Sequence, residues 1–433
     1  MKRRTLLKQA GLFGPVLVTF NPILALQRSV LHQLSNFAQH TDRVLVLIQL
    51  NGGNDSLNSF IPLNNYDTLV GLRKNIIIPE NQVLPLEGTS SFGFHPALNG
   101  LRDLYNDGRL SIIHGVGYPN PDLSHFKAIN IKLTANCNEK NVKSGWIGRY
   151  LNHEFPQYSN HPSWHDRIGP PCLRIGEVSP VVSLGEKEDF GIGITNIEDL
   201  NFEGPDLTSD PISDTMSGKT ISHIRDLSKQ FKMYAPVIQE ASNKQSNLSK
   251  LYNSNGDSQK YTRNNLNEQL KTVARLIGGG LGSKVYVVCQ NGYDTHANQV
   301  EKSNSTMGHH AELLQNLSHA ITAFEDDLRL MGKQDQVLGM TFSEFGRRIN
   351  SSDSYGTDHG TTDSVMLFGS QLKQRMIGQE SLTSFNLSDE NLEMKYDFRS
   401  LYASILEGWL GISKNAIGQI LPEAPSGQID LFS

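Results

Sequence analysis

Four short apolar runs constrain this chain more than any other feature: Arg43–Leu50, Leu110–Val116, Val285–Cys289 and Gln336–Phe342. None alternates regularly between apolar and polar residues. Each therefore reads as a strand buried on both faces, which belongs in a sheet covered by helices rather than one open to water. Segments with helical spacing lie between them, at Pro96–Tyr105, Asn265–Ile277 and Ala311–Met331, and Val365–Gly369 and Arg399–Trp409 add a strand and a helix. Strand–helix alternation of this kind predicts an α/β fold, with a mostly parallel central sheet and helices on both faces. Residues 40–433 read as a single domain. Within it, residues 150–200 read as loops and short strands such as Val181–Leu184. The polar stretch 205–264 reads as a helical insertion or lid rather than core.

The ends of the apolar runs carry the chemistry. Val285–Cys289 is followed by Gly292-Tyr293-Asp294-Thr295-His296, which sets an oxygen and a nitrogen ligand two residues apart in a loop beyond a strand's carboxyl end. Asp55 follows the first run within Asn51-Gly52-Gly53-Asn54-Asp55, and Glu344 follows Gln336–Phe342. Asp358-His359-Gly360 precedes a strand instead. Carboxylates gathered at one sheet edge need a cation, since like charges in close proximity are otherwise costly. Asp55, Asp294, His296, Glu344 and His359 are thus the candidate metal ligands, with His310 as a weak extra. Each also has a plainer role open to it: Asp55 could cap a turn, Glu344 could pair with Arg347 or Arg348, and His359 could be a hydrogen-bonded loop residue. Ser124 is the candidate nucleophile, placed after a strand where a helix start would favour an anion; simple capping is its alternative role. Asp122 and His125 are neighbours able to assist it. Arg347 could present a guanidinium fork to a substrate oxyanion. His95 and His114 read as structural.

The 433 residues are 37% hydrophobic and 19% charged, with a formal net charge of −5. Such a balance offers no basic face, which argues against a nucleic-acid partner. Three cysteines, Cys137, Cys172 and Cys289, form neither a disulfide framework nor a zinc ribbon, although Cys137 and Cys172 could pair in an exported protein. The amino terminus reads Met1-Lys2-Arg3-Arg4-Thr5-Leu6-Leu7-Lys8 before a weakly apolar run interrupted by Pro15 and Pro22. Adjacent arginines ahead of such a run resemble a twin-arginine export signal over residues 1–30, and the prolines argue against a stable membrane span.

Leu50–Ser56, His114–Pro119, Ser124-His125-Phe126, Ser144–Tyr150, Asp294–Gln299, Thr341–Arg348 and Gly356–Gly360, taken together, resemble the bacterial family named domain of unknown function 1501. That family commonly carries twin-arginine signals and is grouped with the alkaline phosphatase superfamily. The resemblance implies an alkaline-phosphatase-like fold. It also implies that Asp55 is the acidic ligand after the first strand and Ser124 the nucleophile at a helix start. Asp294, His296, Glu344 and His359 would complete the ligand set. Two departures stand out: the superfamily usually has Asp-His where this chain has Glu344-Phe345, and Asp294 and His296 are closer together than in many members.

The expected function is an exported, metal-dependent hydrolase or transferase acting on a phosphate or sulfate ester of a small molecule or glycan. It would reach the periplasm or exterior through the twin-arginine translocation machinery. Zinc suits the histidine-bearing position, and calcium, manganese or magnesium an oxygen-rich one. The alternative is an exported binding or assembly protein that keeps the fold with a degenerate metal site.

Overall fold

In the computed structural model, the run around Leu47 forms strand β1 (Val44–Asn51), buried along nearly its whole length. The structure describes residues 42–138, 142–156, 158, 169–197, 200, 215–253, 265–383, 390–425 and 427–432. Residues 1–30, expected to be a twin-arginine signal, lie outside them. Arg43–Ser433 make up one folded unit.

After β1, the chain makes a small three-stranded antiparallel sheet from β2 (Phe60–Pro62), β3 (Leu84–Leu86) and β4 (Thr89–Phe94), with helix α1 (Tyr66–Leu72) between the first two strands. Helix α2 (Asn99–Asn106) leads into β5 (Leu110–Gly117), and α3 (His125–Thr134) and α4 (Trp146–Glu154) follow. Strands β6 (Cys172–Ile175) and β7 (Gly191–Ile194) precede the long helix α5 (Met216–Lys244) and then α6 (Leu266–Gly278). Next come β8 (Val285–Asn291), α7 (His309–Leu330), β9 (Val337–Phe342), β10 (Asp363–Phe368), the short β11 (Met376–Ile377) and β12 (Tyr396–Asp397), then α8 (Phe398–Gly408) and α9 (Lys414–Ile420).

The main sheet runs β11-β5-β10-β9-β1-β8-β6-β7, with β12 also on β5. All its pairings are parallel except those of β10, which is antiparallel to both β5 and β9. The expected mostly parallel α/β sheet is what forms. Leu45 through Ile48 of β1 sit between Val285–Val288 on one side and Leu338–Thr341 on the other, with essentially no surface exposed. Helices pack in two groups, α2, α5, α6 and α7 in one and α3, α4, α8 and α9 in the other.

The reversed strand has a direct cause. Parallel neighbours need a crossover, normally a helix, and no helix separates β9 from β10. The chain therefore returns beside β9 in the opposite sense. Its incoming loop, residues 343–362, lies at the same edge as the carboxyl ends of β1, β5, β8 and β9.

Two expectations change, and one open possibility closes. Val181–Leu184 is not a strand: Pro180–Ser183 is a turn of 3-10 helix begun by the Ser179 side chain, and the strands of this region, β6 and β7, extend the main sheet. The stretch expected to be a lid supplies core instead, because Tyr234, Ala235, Ile238 and Ala241 of α5 are buried at helical spacing. Residues 205–214 and 254–264 of that stretch lie outside the described residues. No disulfide joins Cys137 to Cys172; Cys172 is buried within β6.

Candidate metal centre

The loop after β8 is pinned before it delivers any ligand. Tyr293 N–H donates to the carbonyl of Asn51 at 2.9 Å, and Thr357 N–H to the carbonyl of Thr295 at 3.1 Å. Gly52 allows that closeness: its φ is +122°, and a Cβ there would lie 2.2 Å from the backbone nitrogen of Asp294. Across the edge, Arg347 and His359 form a short antiparallel bridge, and Gly360 N–H donates to Gly346 at 2.8 Å. Loops from β1, β8 and β9 are thereby stitched together before the side chains converge.

Asp294, His296 and His359 meet here. Asp294 Oδ1 lies 3.1 Å from His296 Nε2 and 3.2 Å from His359 Nε2, and those two nitrogens are 2.9 Å apart. A third imidazole joins them: His125, at the start of α3, points Nε2 at Asp294 Oδ2 at 3.6 Å. His125, Asp294 and His359 offer ligand atoms that all lie within 4.8 Å of one another. His125 was expected only to assist Ser124. The signal that marks it is its place at a helix start after β5, one more loop at the same edge.

The far side of each ring is held by an acceptor. His125 Nδ1 is 2.7 Å from Glu344 Oε1, His359 Nδ1 is 2.9 Å from the carbonyl of Leu123, and His296 Nδ1 is 3.1 Å from Asp358 Oδ1. A carbonyl or carboxylate can only accept, so each Nδ1 is placed to donate to its outer partner, which would leave each Nε2 lone pair for a cation held with Asp294. Outer acceptors fix ring orientation and raise ligand basicity in this way at metal sites. The hydrogen bond to Glu344 raises the pKa of His125, while burial lowers that of His359. Burial works to raise Asp294, but hydrogen bonds from Arg347 and His359 hold it below the usual carboxylate range. Three inward imidazole nitrogens and one carboxylate are a donor set that fits a divalent cation, zinc foremost.

The remaining candidates have other places. Glu344 stands one layer out, taking hydrogen bonds from Gly52 N–H (2.9 Å) and the Ser343 hydroxyl (3.0 Å) besides orienting His125. Asp55 is not with the cluster: it is buried against Arg73, 2.8 Å away, and accepts from Gln299 Nε2 at 2.6 Å. Desolvation would raise its carboxyl, and the Arg73 guanidinium overcomes this and lowers it. His310 is also apart, buried with Nε2 3.0 Å from Asn54 Oδ1. The guanidinium of Arg347 is turned into the fold. It is 2% exposed and donates to the carbonyls of Gly52, Gly53, Thr357 and Tyr293 and to Asp294 Oδ1 at 2.8 Å. Ser124 caps α3 by position, is exposed, and makes no side-chain capping bond, so its hydroxyl remains available. Phe345 lays its ring 4.3 Å from that of His359 and 4.9 Å from that of His125.

A family model described as a protein of unknown function (DUF1501) matches residues 112–417. The chain belongs to this family. For this DUF1501 member, no curated protein matches. Solved structures similar to it include the C-terminal periplasmic domain of EcEptC from Escherichia coli in complex with Zn, at 11% identity, covering 86% of this chain and 83% of that one, with a TM-score of 0.37. Alkaline phosphatase from the Antarctic bacterium TAB5 has 10% identity, coverage of 76% and 92%, and a TM-score of 0.29. Lipoteichoic acid synthase LtaP from Listeria monocytogenes has 8% identity, coverage of 90% and 78%, and a TM-score of 0.29. The chemistry of this DUF1501 chain therefore rests on its own residues. No helix among the described residues is long and apolar enough to cross a membrane.

Proposed function

We propose that this DUF1501 protein is an exported, metal-dependent hydrolase or transferase acting on a phosphate or sulfate ester of a small molecule or glycan. Residues 1–30 would serve as its twin-arginine signal and the periplasm or exterior as its destination. The observation that carries the reading is the convergence of three Nε2 atoms on Asp294, each ring turned by an acceptor behind it.

His125, Asp294, His296 and His359 would hold one divalent cation, zinc before manganese, magnesium or calcium. Such a cation supplies Lewis acidity toward an ester oxygen. The protein's own part is positional. Glu344, Asp358 and the Leu123 carbonyl hold the imidazoles, and Arg347 fixes Asp294 from behind. Ser124, next in sequence to His125, offers its uncapped hydroxyl as the attacking group, and the first-turn N–H groups of α3 favour an anion there.

A second reading is a metal-holding binding protein without turnover, and one observation favours it. Asp55 is neutralised by Arg73, so the acidic position after the first strand supports no second cation. Elemental analysis of the purified protein, with aryl phosphate and aryl sulfate assays before and after chelation, separates the two. Bound metal and chelator-sensitive turnover, both lost in Asp294→Ala, are the expected result. Metal without turnover supports the second reading, and absence of metal binding overturns both.

A further inference from the structure

The charged side chains around the candidate centre are unevenly matched. Three loop segments bring its groups together, residues 118–127, 292–299 and 343–362. Their acids are Asp122, Asp294, Glu344, Asp353 and Asp358, and their bases are Lys127, Arg347 and Arg348. Each base is already held by an acid. Lys127 Nζ lies 3.2 Å from Asp122 Oδ2, Arg348 pairs with Glu390, and the inaccessible Arg347 holds Asp294 Oδ1 at 2.8 Å. Asp358 is different. Its side chain is 60% exposed and meets His296 Nδ1 at 3.1 Å, so it sets a carboxylate one imidazole ring away from the point where the Nε2 atoms converge.

Three carboxylates therefore bear on the centre: Asp294 directly, Glu344 through His125 and Asp358 through His296. Arg347 and a single divalent cation would offset them without surplus. The amino end of α3 adds about half a positive charge. That suits one negative charge on a ligand. A second would find no uncommitted cation in these loops, because Arg73 is spent on Asp55, and would instead approach Asp358.

We propose that Asp358 is a specificity-determining residue: its charge makes the centre favour singly charged tetrahedral esters over phosphate monoesters. Sulfate monoesters and phosphodiesters share the favoured chemistry, whereas a phosphate monoester carries nearly two charges above neutral pH. The inference rests on the ester reading above and narrows it to one charge class. Asp358 is half open to water, which screens its repulsion, so an extra ligand charge several Å away corresponds to roughly tenfold in affinity.

The test uses zinc-saturated full-length protein and calorimetry at about pH 8.5, where phenylphosphonate is doubly charged. Its singly charged counterparts are benzenesulfonate and the monomethyl ester of phenylphosphonate, which keep the same phenyl group. The wild type is expected to bind the singly charged probes at least as tightly as phenylphosphonate. Asp358→Asn can still present an acceptor to His296 Nδ1 but carries no charge, and should shift the ratio about tenfold toward phenylphosphonate. Asp358→Glu keeps the charge and should keep the wild-type ratio. The position is exposed, so neither change threatens folding. The sulfonate and phosphonate-ester arms decide between a sulfate monoester and a phosphodiester. Tighter binding of phenylphosphonate than of both other probes by the wild type, or a ratio unmoved in Asp358→Asn, overturns the inference and leaves the ester reading standing. Failure of all three probes to bind removes the ester reading itself, and the charge selectivity with it.

Discussion

The Nε2 atoms of His296 and His359 stand 2.9 Å apart, with the Nδ1 side of each ring already committed to an oxygen acceptor. Two neutral rings in that arrangement would oppose lone pair to lone pair, which is repulsive unless a cation or a proton lies between. A cation serves both rings and Asp294 at once. Adding zinc to chelated protein should therefore raise its unfolding free energy by about 3 kcal/mol at a hundredfold excess over Kd. His359→Ala should abolish the rise. Thermal unfolding with and without zinc, manganese, magnesium and calcium reads this directly, and an unmoved midpoint with all four would refute a metal centre.

Glu344 reaches the site only through His125. Replacing it with Gln keeps the size and the Gly52 contact but removes the anion that raises the basicity of that ring. Metal affinity should fall by roughly ten- to a hundredfold, the range for outer-layer partners. Competition against a chelating dye measures it. Unchanged affinity would mean that His125 is not a ligand.

Asp294, His296 and His359 are legible in the sequence because buried apolar runs advertise where strands stop, and their loops carry donors in close spacing. The reversed direction of β10 goes unread, since Asp358-His359-Gly360 preceding an apolar run looks the same whichever way the strand points. His125 is harder to see: one histidine at a helix start looks the same whether it faces solvent or a ligand cluster. Glu344 is visible as an acid at a strand end, but its distance of one layer from the centre depends on Gly52 N–H and Ser343 reaching it first. Asp55 misleads because Arg73, which neutralises it, arrives from the end of α1 with nothing in the spacing to announce the meeting. The small sheet of β2, β3 and β4 escapes a periodicity reading because two of its strands are three residues long and contain proline.

Arg347 gives a test that separates a structural arginine from a substrate-facing one. Its fork joins the backbones after β1 and β8 and before β10, so removing it leaves several buried carbonyls without a donor. Arg347→Ala should lose at least about 3 kcal/mol of stability. Arg347→Lys should recover little, because one ammonium cannot span the same set. Urea unfolding measures both. A lysine variant of normal stability that has lost only turnover would return Arg347 to the substrate side.

Acid should unfold this protein through its buried histidines. Burial lowers His95 and His114 to about 3 and His310 to about 4, while an unfolded imidazole titrates near 6.5. As pH falls below about 6.5 the unfolded chain takes up protons that the folded one refuses. Stability from these groups is therefore intact above that pH and drains away down to about 3–4. At pH 5 each costs about 2 kcal/mol. Urea unfolding of chelated protein at pH 7.5 and 5 should show the loss; equal stability at the two values would mean that the rings are not buried neutral.

Asp55 offers the sharpest contrast between ligand and scaffold. Both it and Arg73 are almost wholly inaccessible, and Arg73 also donates to the carbonyls of Ile349 and Arg348, so the pair ties the loop after β1 to the loop after β9. Breaking a buried pair from one side strands a charge, at a cost of about 3–5 kcal/mol. Asp55→Asn should lose stability on that scale, yet the surviving folded fraction should bind as much metal per chain as the wild type, because the proposed cation contacts come from residues 125, 294, 296 and 359. Unfolding free energy and metal content on the same preparation decide it. Metal lost in step with Asp55 while stability holds would make this carboxylate a ligand after all, and Arg73 would then not be its neutralising partner.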